Sequence, residues 1–139
     1  MNVGFTGTQE GMTLAQYSTV LGVLLSLKEG FTKEDEFHHG DCIGADAEAH
    51  DLAEMLGFKT VSHPPIKENK RAFKMADVLL EAKDYLIRNH DIVDACTVMI
   101  ATPKEKLEVM RSGTWATVRY SRKKNRLLYL ILPNGSTIQ

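Results

Sequence analysis

The sequence predicts an α/β fold, a three-layer sandwich with a mostly parallel central sheet of about five strands. Three observations carry this. Short apolar stretches suited to strands alternate with stretches of helical periodicity along the chain. The run Cys96-Thr97-Val98-Met99-Ile100-Ala101 is almost wholly apolar, as a strand covered on both faces must be. Three strand ends lead into polar loops that contain glycine. In parallel sheets ligands bind outside the carboxyl ends of strands, near the point where strand order reverses.

Each element can be justified in order. Asn2 to Phe5 fits a buried first strand, and Thr6-Gly7-Thr8-Gln9-Glu10-Gly11 is the loop after it. A helix opens at Thr13, which has capping-box spacing with Gln16. Leu14, Tyr17, Leu21, Leu24, Leu25 and Lys28 trace one of its faces, and Gly30 is its expected end. Asp35 to Phe37 can be extended as a second strand. It runs through His38-His39-Gly40-Asp41-Cys42-Ile43-Gly44 into a helix marked by Ala45, Ala49, Leu52, Ala53 and Leu56, with Gly57 as its stop. Phe58 to Ser62 reads as a third strand, closed by Pro64-Pro65.

Ile66 to Asp84 is the least legible stretch. Its basic cluster, Lys67, Lys70, Arg71 and Lys74, reads first as a solvated helix face and second as a flap that reaches an anionic ligand. Tyr85 to Asp94 predicts a helix leading into the fourth strand, which Thr102-Pro103 ends. A charged loop, Lys104 to Glu108, precedes Arg111-Ser112-Gly113-Thr114-Trp115 and a helix through about Lys124. Leu127 to Leu132 is the fifth strand, and Pro133-Asn134-Gly135 turns the chain into a short tail.

Bulk properties narrow the function. The 139 residues suit one domain with a real core. The net charge of −1 gives no electrostatic case for nucleic acid or a membrane surface. The two cysteines, Cys42 and Cys96, form no disulfide framework. Met1-Asn2-Val3-Gly4 lacks the basic and then apolar pattern of a signal peptide, and no apolar run reaches membrane-spanning length. The cytoplasm is the expected location.

Four loops carry candidate chemistry. Ser112-Gly113-Thr114 heads a helix, where free N–H groups and the helix dipole favour an anion and Gly113 permits close approach. Thr6-Gly7-Thr8 is a second polar glycine loop, but neither a P-loop nor a dinucleotide fingerprint is present. In the third loop Gly40 and Gly44 flank Asp41, a carboxylate suited to ribose hydroxyls or to capping the next helix. Thr102-Pro103 falls on the same sheet edge. Arg88 with Asn89 precedes the fourth strand, and an arginine there can grip a phosphate or carboxylate through two bonds. Trp115 packs on the sheet in the simpler reading and stacks on a base in the other. His39, Cys42, His50 and His63 lack metal-ligand spacing, so no metal is expected.

Taken together, Gly4-Phe5-Thr6-Gly7-Thr8, His39 to Asp46, His63-Pro64-Pro65, Arg88-Asn89, Ile100 to Pro103 and Arg111 to Trp115 resemble the SLOG superfamily. This Rossmann-like group includes DNA-processing protein A, the Lonely Guy phosphoribohydrolases and small stand-alone bacterial and phage members. The resemblance runs through nearly the whole chain and implies a site for a nucleotide or nucleotide-derived ligand. The implied ligand residues are Thr6, Gly7, Thr8, Gly40, Asp41, Gly44, Asp46, Arg88, Asn89, Thr102, Pro103, Ser112, Gly113 and Thr114. Gly113-Thr114 matches the Gly-Thr of the Lonely Guy motif Gly-Gly-x-Gly-Thr-x-x-Glu, but Thr117 stands where that motif has its glutamate, and Arg111-Ser112 replace glycines. Arg88 matches the position of the family's catalytic arginine, with Asn89 in place of a lysine. Losing the glutamate removes the obvious carboxylate for a glycosidic reaction. Asp41, or else Asp46, is then the candidate substitute, with Arg88 beside it. The expectation is therefore ligand binding in a sensing or sequestering role, with N-glycosidic cleavage as the alternative. Single-stranded nucleic acid binding is the third reading, and the neutral charge and lack of a basic aromatic groove argue against it. No cofactor is implied. A homo-oligomer is expected through an apolar patch of Met75, Val78, Leu79 and Tyr85.

Overall fold

The computed structural model describes residues 1–28 and 34–138. In chain order the elements are β1 (Asn2–Gly7), α1 (Leu14–Leu27), β2 (Glu36–His39), α2 (Ala45–Met55), β3 (Lys59–Ser62), β4 (Val78–Leu79), α3 (Tyr85–Ala95), β5 (Val98–Thr102), α4 (Gly113–Lys123), β6 (Leu127–Ile131) and β7 (Thr137–Ile138). They form one sheet in the order β4-β3-β2-β1-β5-β6-β7. Every pairing is parallel except β6 with β7. The chain therefore builds outward from β1 to one edge, then returns to β1 and builds outward on its other side. The reversal falls between β1 and β5, so their carboxyl ends, at Gly7 and Thr102, open onto the crevice where such sheets take ligands.

Alternation along the strands sets two cores. Val3, Phe5, Phe37, Val98 and Ile100 face α1 and α2, where Val20, Leu24, Leu52 and Ala53 meet them. Met99, Ala101, Leu128 and Leu130 face the other way and pack on Ile92, Val93, Trp115 and Val118 of α3 and α4. This is the expected three-layer arrangement. The five expected strands are all present. The two extra strands lie at the edges and are two residues long, too short to carry a periodicity.

Local chemistry explains the boundaries. The capping box at α1 is formed: Gln16 N–H donates to Thr13 Oγ1 at 3.0 Å, and Thr13 N–H donates to Gln16 Oε1 at 3.0 Å. The buried Gln16 Nε2 goes on to donate to the carbonyls of Pro103 and Ile131, at 2.8 and 3.0 Å. Lys28 caps the end of α1, and the stop expected at Gly30 lies outside the described residues. The expected solvated helix over the basic cluster does not form. One 3-10 turn, Glu68–Lys70, is followed by irregular chain. This segment is held by tertiary bonds instead: a bridge between Cys42 and Arg71, and the carboxylate of Asp41. Of the expected oligomer patch, Met75 and Leu79 are exposed, while Val78 and Tyr85 are half-buried.

Gly44 is the tightest backbone constraint near the sheet edge. It is the N-cap of α2 with φ 84° and ψ −125°, a region closed to side chains. A Cβ there would run into the carbonyl of Gln9. Gly44→Ala is expected to destabilise the fold by about 1–3 kcal/mol, on the scale of one strained residue. Chemical denaturation would measure this, and an unchanged midpoint would show that the loop is not so constrained.

Candidate functional site

A cleft of about 580 Å³ lies at the carboxyl ends of β1, β2 and β5. Several separated parts of the chain build it, four of them carrying expected ligand residues. Thr6, Gly7 and Thr8 come from the end of β1 and its loop, Gly40 and Asp46 from the loop and helix after β2, Arg88 and Asn89 from α3, and Ser112, Gly113 and Thr114 from the head of α4. The volume falls in the range of small-molecule sites.

Four expected ligand residues are not on the cleft. Both oxygens of the buried Asp41 carboxylate are occupied: Arg71 Nε donates to one at 2.7 Å, and the backbone N–H of Lys74 donates to the other at 3.0 Å. Asp41 thus fastens the segment after the 3-10 turn and does not cap α2, whose N-cap is Gly44. Gly44 faces the backbone of Gln9 and Gly11. Thr102 is buried beside Gly7, and its carbonyl accepts the N–H of Thr8 at 3.1 Å. The Pro103 carbonyl is taken by Gln16. Conversely, Lys70, Tyr85, Lys104 and Glu10 line the cleft without having been assigned to it. Lys70 could have been found, because the flap reading of the basic cluster places one of its lysines against an anion. Lys104 and Glu10 pair at 2.6 Å between the loops after β5 and β1, an exposed contact of small energetic value.

Asp46 is a buried carboxylate on the cleft. From the first turn of α2 its Oδ2 accepts the N–H groups of Gly40 and Cys42, at 3.1 and 3.2 Å, which shapes the loop before it. Its Oδ1 is buried with no partner. Burial pushes this carboxyl up to about 6, against the opposing pull of the Arg88 guanidinium and the two N–H groups. Arg88 Nη1 donates to the carbonyl of Gly40 and, at 3.2 Å, to that of His63, and Nη2 lies 3.7 Å from Cys42 Sγ. A Cβ on Gly40 would strike this guanidinium. Glycine is needed there for Arg88. Burial raises the Cys42 thiol to about 11 and the Cys96 thiol to about 12, so neither is a thiolate nucleophile at neutral pH.

Gly113 behaves differently from the other cleft glycines. A Cβ there would meet nothing within 4 Å, whereas Gly7 and Gly40 are each pressed by neighbouring side chains. Ser112 is the N-cap and its Oγ accepts the N–H of Trp115 at 3.2 Å. The N–H groups of Gly113 and Thr114, in the first turn, have no intrahelical acceptor. Trp115 is buried in the core and packs on the sheet, with its Nε1 donating to Glu105 at 3.1 Å. Thr117 is buried too, its hydroxyl donating to the Gly113 carbonyl at 3.0 Å.

Two imidazole pairs support the loop from below. Asp41 N–H donates to His39 Nδ1 at 2.9 Å. His39 therefore carries its proton on Nε2 and donates to His50 Nδ1 at 2.9 Å, and His50 Nε2 donates to Glu54 at 3.2 Å. His38 Nε2 donates likewise to Glu36 at 2.9 Å, leaving Nδ1 to accept from His63 Nε2 at 2.7 Å. The four rings thus serve as hydrogen-bonded pairs. Among the described residues no three His, Cys, Asp or Glu side chains are grouped to hold a metal ion.

Solved structures share this fold. The molybdenum cofactor binding protein from the phototrophic bacterium Rippkaea orientalis is 19% identical, with a TM-score of 0.68 over 94% of this chain and 76% of its own. A structural genomics target, TM1055, is 14% identical, with a TM-score of 0.65 over 94% of this chain and 73% of its own. DNA processing protein A from Streptococcus pneumoniae is 18% identical, with a TM-score of 0.62 over 93% of this chain and 49% of its own. This chain therefore spans about half the length of that last protein. At these identities the likeness is one of fold. No protein-family model matches the sequence, and no curated protein matches it.

The histidines set a pH dependence. Burial, with neighbouring positive charge second, lowers His39 to about 3 and His63 to about 4, and burial lowers His38 against the pull of Glu36. The unfolded chain protonates its histidines near pH 6.5, while the folded chain keeps these rings neutral. Stability is then complete above about pH 6.5 and falls as the pH drops towards 4. The slope approaches about 1.4 kcal/mol per pH unit for each such ring. Asp46 works in the opposite direction between its unfolded value and about 6. Urea midpoints between pH 7.5 and 4.5 should show a net loss of stability, and a flat profile would contradict the buried neutral pairs.

Proposed function

We propose that this chain binds a nucleotide or nucleotide-derived small molecule in the cleft, in a sensing or sequestering role. The observation that carries the reading is the head of α4. Free N–H groups of Gly113 and Thr114 face a cleft, and the glycine leaves open space above itself. The positive end of an 11-residue helix favours a phosphate there. Lys70, Lys104 and Arg88 add positive charge around the same cleft. The resemblance to the SLOG superfamily points the same way. Two of the fold neighbours support an organic ligand, one being described as binding a cofactor and one as processing DNA.

A second reading, cleavage of an N-glycosidic bond, is favoured by one observation. A buried carboxyl raised to about 6, that of Asp46, lies on the cleft. Thr117 offers no charge, and its hydroxyl is turned to its own helix. Incubation of the wild type with nucleoside monophosphates separates the two: free base accumulates in the second reading and does not in the first.

The phosphate assignment has a test that separates binding from folding. Gly113→Asp puts a carboxylate into open space at a helix N-terminus, which is neutral or mildly stabilising for the helix. The variant should melt at or above the wild-type temperature. It should also bind nucleoside monophosphates weaker by about a hundredfold or more, as expected from a like charge placed at the anion. Equal affinity in the folded variant would remove the α4 head from the site.

A further inference from the structure

A second cavity, of about 530 Å³, lies between the loop after β4 and α3. Glu81 and Lys83 come from the loop, Asp91 and Asp94 from α3, and His63 from the end of β3. It shares only Arg88 with the cleft. His63 sets it apart from an ordinary surface hollow. This residue is 6% exposed and ends a hydrogen-bonded chain whose direction is fixed at the far end. The Glu36 carboxylate only accepts, so His38 donates to it from Nε2 at 2.9 Å and accepts at Nδ1. His63 Nε2 is then the donor across the 2.7 Å contact, and His63 Nδ1 is left as a lone pair. That atom has no hydrogen-bond partner among the described residues, and unlike Arg88 Nε and Ser62 Oγ it is not sealed from solvent. It opens on the second cavity. His63 lines that cavity and not the cleft, and Asp91 and Lys83, which also line it, are among the charges that act on the ring.

A lone pair accepts and cannot donate, so whatever sits at Nδ1 must be a donor. Charge narrows the donor. Three carboxylates, Glu81, Asp91 and Asp94, line the cavity against two cations. Both cations are already engaged: Lys83 Nζ donates to Asp91 at 2.8 Å, and Arg88 is bonded to the carbonyls of Gly40 and His63. Asp94 accepts only from the neutral Tyr120 hydroxyl, at 2.9 Å, and Glu81 has no hydrogen bond or ion pair among the described residues. The surplus negative charge repels an anion and favours a cation over a neutral donor. Among the described residues no three His, Cys, Asp or Glu side chains are grouped to hold a metal ion, so the cation brings its own N–H. We infer that this cavity binds an organic ammonium ion, its N–H donating to His63 Nδ1 and its charge set against Glu81 and Asp94. Leu80 and Ala95 offer apolar surface to a short alkyl chain. The ligand class is then a small alkylamine, and nothing in the cleft is needed to hold it.

Two probes of one length test this, 1,3-diaminopropane and 1,3-propanediol, titrated into the ¹⁵N-labelled protein and followed by NMR. At pH 7.5 His63, held down to about 4 chiefly by burial, is neutral, and the amines are protonated. Salt at about 0.15 M screens loose pairing with surface carboxylates. The diamine should bind about tenfold or more tighter than the diol, the margin of a charged over a neutral hydrogen bond. Its shifts should centre on His63, Leu80 and Ala95. Glu81→Gln should weaken the diamine by about threefold, the scale of one exposed charge pair, and leave the diol unchanged. His63→Phe, which removes the acceptor, should weaken it by about fivefold or more. Equal binding of the two probes overturns the inference and leaves water at Nδ1. Diamine shifts centred on Thr8 and Gly113 overturn it as well, as does full affinity in folded His63→Phe. Should His63→Phe fail to fold, the location of the shifts and Glu81→Gln still decide.

Discussion

The candidate site depends on the buried guanidinium of Arg88. It ties three elements that are far apart in sequence. Arg88 belongs to α3, the Gly40 carbonyl follows β2, and the His63 carbonyl follows β3. The contact fixes the floor of the cleft, and it explains why residue 40 has no side chain. A buried cation is tolerated only when it is hydrogen-bonded and faces opposite charge. Here two carbonyls and the nearby Asp46 supply those conditions. The same positive charge is a minor reason, after burial and the neighbouring imidazoles, that His39 and His63 stay neutral.

The sheet order then determines what can reach that floor. Because the chain reverses between β1 and β5, the loops after these strands diverge, and a crevice opens between them. The head of α4 closes one side and the loop before α2 closes the other. The two sides are built differently. The α2 side is packed: the N–H groups of Gly40 and Cys42 both donate to Asp46, and Gly44 is wedged against Gln9. At the α4 side Gly113 is exposed, with nothing within 4 Å of its missing side chain. The cleft thus has packed, hydrogen-bonded groups on one side and the N–H donors of the first turn of α4 on the other.

Much of this was legible in the sequence, and the failures have physical causes. The five long strands and four helices could be read because each has an apolar periodicity or a cap, as with Thr13 and Gln16 at α1. The edge strands Val78–Leu79 and Thr137–Ile138 could not, since two residues show no alternation. The chain from Ile66 to Asp84 was misread because it is fixed by partners elsewhere, chiefly Asp41, and not by any pattern of its own. The polar glycine loops at Thr6 to Thr8, at Gly40 and at Ser112 to Thr114 come together along one cleft. They could not say which carboxylate of the Gly40 loop turns inward. That choice depends on Asp41 adopting φ 55° and accepting Arg71, which leaves Asp46 to face the cleft. Cys42 and Tyr85 reach the cleft wall through packing alone, which no local motif announces.

The environment of Asp46 also weighs the two functional readings against each other. Cleaving a glycosidic bond needs negative charge that is free to stabilise a developing cation at the sugar. The charge on Asp46 is not free in that sense. Two backbone N–H groups already polarise one of its oxygens, and Arg88 carries a compensating positive charge beside it. A cation forming at this point would be attracted by the carboxylate and repelled by the guanidinium. The raised carboxyl alone suits an acid–base role. The Arg88 charge that acts on Asp46 weighs against that role, and it is the physical ground on which we propose binding ahead of cleavage.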